Sequence, residues 1–434
     1  MPSKQNRLFG EILKLAASNV SAQLLPFFAT PILSRLFLPE AFALRAFIIY
    51  INNIFDLLFR FSISISVFKD DEDAYKTWCL TVMSAFFFSI IAGVILFISP
   101  SFLLNLLSPK LHQFSYWIVP LPFFGALIQV NTFWLLRKKK FLHVGLITIS
   151  RTFPYTLICL IGGFLGFTEN FLLLKVFVIS VIIAGCISSF IFLKNSLPLQ
   201  VADFSSRNLL NAFKLNKKYI KNGPFFSILE NLASLFPMLL ITKFYSLEKT
   251  GVFSMVTYLF LAPSSVIATS INQVLIGSVQ KYKEDYDLTI SIKKTILFVV
   301  SAAIFGTLTV LIIAPQFLPY FLGERWQDTG RITQILIFPC ALRFIVYSLS
   351  SIITGLGYIK YIARWQLFYF LFILLLLFPP YIGFSFEKFL ITYAIIDCFS
   401  YIVQGIIIIA LLYHNNNGVR CTPSVGQSSS KNNL

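Results

Sequence analysis

Between residues 42 and 67 an otherwise apolar stretch carries four polar side chains, Arg45, Asn52, Asp56 and Arg60. On a helix turning about 100° per residue, positions 45 and 56 return close to one face. Asn52 falls about 20° to one side of Arg45, Asp56 about 20° to the other and Arg60 about 60° round. The four form one polar stripe, while Ile48, Phe55, Leu58 and Phe59 point mostly elsewhere. Two more arginines interrupt apolar runs. Arg151 has Thr148 and Tyr155 one turn away, and Arg343 is followed by Tyr347, Ser350, Ser351 and Thr354 at helical spacing. A guanidinium offers a planar fork of donors that fits phosphate oxygens. Arg45, Arg60, Arg151 and Arg343, with Asn52, Tyr155 and Tyr347 beside them, are therefore candidate anion-binding residues. The bland alternatives are an Asp56–Arg60 pair that locks two helices, and single arginines that pair locally or extend to an interface. The acids deepest in apolar runs are Asp56, Glu230 and Asp397. Glu230 has Asn231, Ser234 and Pro237 nearby, and Asp397 has Tyr401 and Gln404 on its face. These carboxylates are candidates for ion coupling, or for neutralising a nearby arginine.

The elements that position these groups are membrane spans. Of 434 residues 57% are hydrophobic and only 12% are charged, against about 25% charged in soluble domains. The expected fold class is an all-α polytopic membrane protein with about twelve spans: 12–33, 42–67, 78–98, 117–136, 144–166, 171–192, 224–243, 251–277, 295–318, 332–354, 365–384 and 389–413. A charge at mid-bilayer costs about 3 kcal/mol on insertion scales, so the polar stripe must face protein or water. The formal charge of +17 follows from basic loops rather than from nucleic-acid binding. Arg137-Lys138-Lys139-Lys140, Lys194 to Lys221 and Lys281 to Lys294 all fall on one side, which puts both termini in the cytoplasm. No cleavable signal peptide is evident in the first residues. Cys79, Cys159, Cys186, Cys340, Cys398 and Cys421 form no CxxC, and His112, His143 and His414 are scattered. No disulfide, metal site or cofactor is expected. Trp78, Trp117, Trp134, Trp326 and Trp365 fall near span ends, as an interfacial aromatic belt would. Gly162 and Gly166 form a GxxxG pair that permits close helix approach.

The chain divides into an N-terminal six-helix lobe (1–193), a basic linker loop (194–223), a C-terminal six-helix lobe (224–413) and a disordered polar tail (414–434). The halves carry a faint repeat. PILSRLFLPEAF at 31–42 matches LITKFYSLEKTGVF at 240–253, and SVFKDDED at 66–73 matches SVQKYKED at 278–285, both offset by about 210 residues. An even number of spans per half makes the repeat parallel, with a binding site expected between the lobes.

SAQLLPFFATPILSRLFLPEAFA at 21–43, the acidic loop SVFKDDEDAYKTW at 66–78, ALIQVNTFWLLRKKKFLHVGLITISRT at 126–152 and the stretch 321–366 beginning FLGERWQDTG resemble the O-antigen or lipid-linked oligosaccharide (Wzx-like) flippases. These belong to the superfamily that also holds the multidrug and toxic-compound exporters. The resemblance spreads over most of the chain. It implies translocation of an undecaprenyl-pyrophosphate-linked repeat unit from the cytoplasmic to the periplasmic leaflet of a bacterial inner membrane. Its implied partners are that lipid-linked oligosaccharide, membrane lipids and other proteins of polysaccharide assembly, with no nucleic acid. Members often carry an Arg-Tyr-Glu-like cluster at the end of the second span; here 59–63 reads FRFSI, which keeps only the arginine. Two other readings compete. A multidrug or organic-cation antiporter of the same superfamily would have an acid-dominated cavity, whereas basic residues dominate these spans. A membrane-embedded polymerase would need an extramembrane site, yet the loop at 99–116 holds no carboxylate and the chain has no P-loop.

Overall fold

The computed structural model describes residues 24–59, 61–62, 65, 70–98, 116–195, 204–222, 224–281, 286–355 and 359–420. Among them no β-strand occurs. The N-terminal lobe holds α1 (Leu24–Leu36), α2 (Pro39–Leu58), α3 (Asp71–Ile98), α4 (Leu121–Arg137), α5 (Phe141–Phe164) and α6 (Leu172–Asn195). A connecting helix, α7 (Ser206–Asn222), leads to α8 (Pro224–Phe244), α9 (Leu247–Lys281), α10 (Tyr286–Leu322), α11 (Thr329–Gly355) and α12 (Ile359–Ile373). After α12 the chain passes through a 3₁₀ turn and the short α13 (Phe378–Tyr381) into α14 (Phe386–Arg420). Ten segments of the described residues are long and apolar enough to cross a bilayer. With α1 and α9 they occupy the twelve expected places.

Local chemistry sets several ends. Pro39 starts α2 behind an extended Leu38 (φ −73°, ψ 155°), with Glu40 in the first turn. The acidic first turn of α3 meets the basic end of α4: Asp71 accepts from Arg137 Nη2 at 2.7 Å and Lys138 Nζ at 2.6 Å. Each group also complements its own helix dipole. Lys138 and these neighbours mark one end of the bundle, the basic end.

Several expectations are corrected. The second span does not run to 67: α2 ends at Leu58, and the Phe59 carbonyl accepts from the Ser62 amide at 3.1 Å in a tighter turn. The following Ser62-Ile63-Ser64-Ile65-Ser66-Val67 alternates β-branched residues with serines that compete for backbone partners, and both disfavour helix. Arg60 falls outside the described residues, as do residues 99–115 and Cys421. The linker expected as a loop at 194–223 contains the helix α7, and α14 continues to Arg420 where a disordered tail was expected from 414. Trp78, Trp134, Trp326 and Trp365 are buried rather than in an interfacial belt. Their indole N–H groups explain three of them: they donate to Asn131 Oδ1 (Trp78), the Ser34 carbonyl (Trp326) and the Ser400 carbonyl (Trp365). Gly166 caps α5 at φ +85° instead of lining a helix crossing.

One apolar core runs through both lobes, from Leu33, Phe37 and Phe47 to Val256, Leu336 and Leu390. Its seam is formed by α2, which packs on α4 and α6 of its own lobe and on α8 and α9 of the other. At the end opposite the basic one the backbones nearly touch: a Cβ added to Gly251 would lie 1.9 Å from the Pro39 carbonyl oxygen. Around it Ser34 donates to the Leu322 carbonyl at 2.9 Å, Trp326 donates to the Ser34 carbonyl at 2.9 Å, and Phe42 meets the Trp326 ring edge-on at 5.3 Å. Gly251→Ala is expected to force α2 and α9 apart and to destabilise the protein by about 1–3 kcal/mol, as overpacking does. A thermal unfolding curve of the purified protein measures it; an unchanged midpoint would mean that the seam is not closed by this contact.

Candidate functional site

The arginines expected to share one space separate into two environments. In the C-terminal lobe Arg343 of α11 closes its fork on Asp397 of α14, with Nε to Oδ2 and Nη2 to Oδ1 both at 2.9 Å. Its Nη2 also donates to the hydroxyls of Tyr369 at 3.0 Å and Tyr393 at 3.1 Å, and the Tyr369 hydroxyl donates to Asp397 Oδ1 at 2.8 Å. The Tyr401 ring lies 5.1 Å from the guanidinium. Arg343 is 5% exposed and Asp397 is fully buried. Arg343, expected to bind an anion, instead has its Nε and Nη2 donors engaged and its charge balanced by a buried aspartate. Asp397, an ion-coupling candidate, is the acid that balances it.

One turn further along α11, the Tyr347 hydroxyl donates to Glu230 Oε1 of α8 at 3.1 Å and shares a 3.1 Å hydrogen bond with the Tyr401 hydroxyl. Gln366 Nε2 of α12 donates to the other oxygen of Glu230 at 2.6 Å. Both carboxylate oxygens of Glu230 are therefore held by neutral donors.

The N-terminal lobe is different. Asn52 Nδ2 donates to Asp56 Oδ2 at 3.0 Å, one turn along α2. Gly125 of α4 makes room for the carboxylate, since a Cβ there would stand 2.8 Å from Asp56 Oδ1. Arg151 of α5 lies in electrostatic reach of Asp56 but forms no hydrogen bond or ion pair with a described residue. At the seam Arg45 of α2 reaches between two rings, 5.0 Å from the centre of Tyr155 on α5 and 5.1 Å from that of Tyr258 on α9, with the Tyr258 hydroxyl in hydrogen-bond reach. No described carboxylate lies within 4 Å of it. The buried atoms without a partner include Arg45 Nε, Asn52 Oδ1 and the Tyr155 hydroxyl. Unsatisfied polar atoms cost about 1–3 kcal/mol each, so water or a polar ligand is expected to meet them.

Asn52, Asp56 and Arg151 thus stand together, as do Arg45 and Tyr155, and as do Tyr347 and Glu230; Arg343 stands apart with Asp397. Sequence reasoning missed Tyr393, Tyr258, Gln366, Tyr369 and Gly125. Tyr393, Asp397 and Tyr401 follow one another at steps of four, a signal that could have found the first of them. Gly125 had none, because its role depends on which helix lies opposite. Among the described residues no cluster of metal-ligating side chains occurs.

The helical seam and the two lobes place the chain in a known class of membrane transporter folds. An inward-facing multidrug resistance MATE family transporter of the MOP superfamily superposes with a TM-score of 0.73, covering 93% of this chain and 99% of that one at 14% identity. An outward-facing structure of such a transporter gives 0.65 at 16% identity, covering 95% and 97%. A MOP superfamily transporter from Pyrococcus furiosus, described as having a binding pocket of reverse polarity, gives 0.63 at 16% identity, covering 94% and 96%. At such identities the likeness is one of fold. The chain itself belongs to the family described as polysaccharide biosynthesis protein, whose pattern matches residues 32–331. No curated protein sequence matches it.

Removing one partner of a buried, hydrogen-bonded ion pair costs about 3–5 kcal/mol. Asp397→Leu is expected to cost that much in thermal unfolding, and the double change Arg343→Met with Asp397→Leu to recover part of it. If the double variant were no more stable than the single one, Arg343 would not be a structural partner of Asp397.

Proposed function

We propose that this protein flips an undecaprenyl-pyrophosphate-linked oligosaccharide repeat unit from the cytoplasmic to the periplasmic leaflet of a bacterial inner membrane by alternating access. Both termini and the basic end face the cytoplasm in this reading, as the distribution of lysine and arginine favours. The observation that carries it is Arg45, a cation with no carboxylate within 4 Å among the described residues, held at the lobe seam between an aromatic ring from each lobe. A guanidinium in that position can fork onto pyrophosphate oxygens, and Arg151 adds a second unpaired cation in the same lobe. Tyr155 and Tyr258 offer flat faces to sugar rings, and their hydroxyls offer hydrogen bonds. In this reading the contacts around Pro39, Gly251 and Trp326 close the periplasmic end. The lipid tail stays in the bilayer. Membership of a polysaccharide biosynthesis family agrees with this reading.

Glu230 favours a second reading, since an acid held only by the neutral Tyr347 and Gln366 can take a cation. A multidrug or organic-cation antiporter would use it for its substrate or coupling ion. In a host lacking this protein, lipid-linked oligosaccharide is expected to accumulate on the cytoplasmic leaflet, and the wild-type chain to clear it. Arg45→Ala is expected to lower that clearance about tenfold or more, one lost contact being worth upwards of 1.4 kcal/mol, while Arg45→Lys keeps a point charge without the fork and falls between. Full clearance by Arg45→Ala, together with loss of drug efflux in Glu230→Gln, would replace the flippase with the antiporter.

A further inference from the structure

The connecting helix α7 has two unlike sides. Ala212 and Asn216, one turn apart, are fully buried. Asn216 Nδ2 donates to Thr77 Oγ1 of α3 at 2.9 Å and to the Ala212 carbonyl at 2.8 Å. Leu209 packs toward Trp78, Trp134 and Phe192, and Ile220 packs toward Phe59 and Ala85. The helix is therefore clamped to the first lobe along one face. The opposite face carries Arg207, Leu210, Lys214 and Lys217, which at steps of three and four lie along one stripe. Phe213 flanks that stripe. All five side chains are exposed, with Leu210 at 55% and Phe213 at 48%. None of the three cations forms a hydrogen bond or ion pair with a described residue.

The depth of α7 follows from its clamp. Asp71, which opens α3, is half exposed and holds the largely buried Arg137 and the partly exposed Lys138. Thr77 lies six residues further along α3, about 9 Å deeper at 1.5 Å per residue. Helices that lie in the plane of a membrane interface sink about 5–10 Å into the headgroup and acyl boundary, with large apolar side chains toward the chains and lysine or arginine toward the phosphates. The stripe has that composition at that depth. An acidic protein partner would meet the cations but would leave Leu210 and Phe213 without an apolar neighbour.

We infer that α7 is an interfacial anchor that binds anionic phospholipid headgroups in the leaflet at the basic end, with Arg207, Lys214 and Lys217 on the lipid phosphates and Leu210 and Phe213 among the upper acyl segments. Because α7 joins the lobes, lipid bound there holds the linker of the first lobe in place while the second moves. The inference needs no particular transported substrate.

The test uses the full-length protein in nanodiscs of phosphatidylcholine alone or with a large share of phosphatidylglycerol, with hydrogen exchange read over 206–222. Anionic discs are expected to slow exchange in this segment roughly tenfold, each basic side chain near an anionic surface contributing about as much as a several-fold change. High salt reverses part of that slowing. The triple variant Arg207→Gln, Lys214→Gln, Lys217→Gln is expected to lose the difference, with exchange in α4 and α6 unchanged. Those side chains are exposed, so the fold persists. Equal protection in neutral and anionic discs would overturn the inference. So would equal protection from soluble pyrophosphate added to neutral discs, which would make the stripe a phosphate site instead.

Discussion

A bilayer interior offers no hydrogen-bond partners, so every polar group placed there must find one inside the protein or in water that the protein admits. The two lobes meet this constraint in opposite ways. In the C-terminal lobe Arg343, Asp397, Tyr369 and Tyr393 satisfy one another, and Glu230 receives two hydrogen bonds. That network is buried. In the N-terminal lobe and at the seam, Arg45 Nε, Asn52 Oδ1 and the Tyr155 hydroxyl have no partner, and Arg151 has no acid within bonding distance. Among the described residues most of the unmet bonding capacity lies in the first lobe and at the seam.

Helix α2 connects these halves of the molecule. Near its first turn Pro39 touches α9 at Gly251. Further on, Arg45 meets Tyr258 of that same helix. Tyr50 comes within electrostatic reach of Arg343 and Asp397, and Asn52 with Asp56 turns to α4 and α5. A lobe rotation that parts Pro39 from Gly251 must therefore change what surrounds Arg45. That contact and the cation ride on one rigid element, at about 1.5 Å per residue.

Glycine serves here by absence of a side chain. Gly251 lets two backbones meet, and Gly125 leaves room for the Asp56 carboxylate. Neither position needs an unusual backbone angle, so the reason for the glycine lies in the facing helix rather than in its own turn.

Hydropathy alone was enough to reach the membrane class and about twelve helices, because apolar runs about twenty residues long admit few other structures. Periodicity put Arg45 and Asp56 on one face of α2, and spacing placed Tyr347 after Arg343. It overextended α2, which ends at Leu58, and it treated α7 as loop because basic residues mask its apolar face. Pairing was beyond its reach. Arg45 and Arg343 are alike in sequence, each an arginine in an apolar span with tyrosines nearby, yet one meets only aromatic rings and the other an aspartate 54 residues away. Which partner a charge receives depends on how helices distant in the chain are packed side by side, and the periodicity of a single helix carries no information about its neighbours.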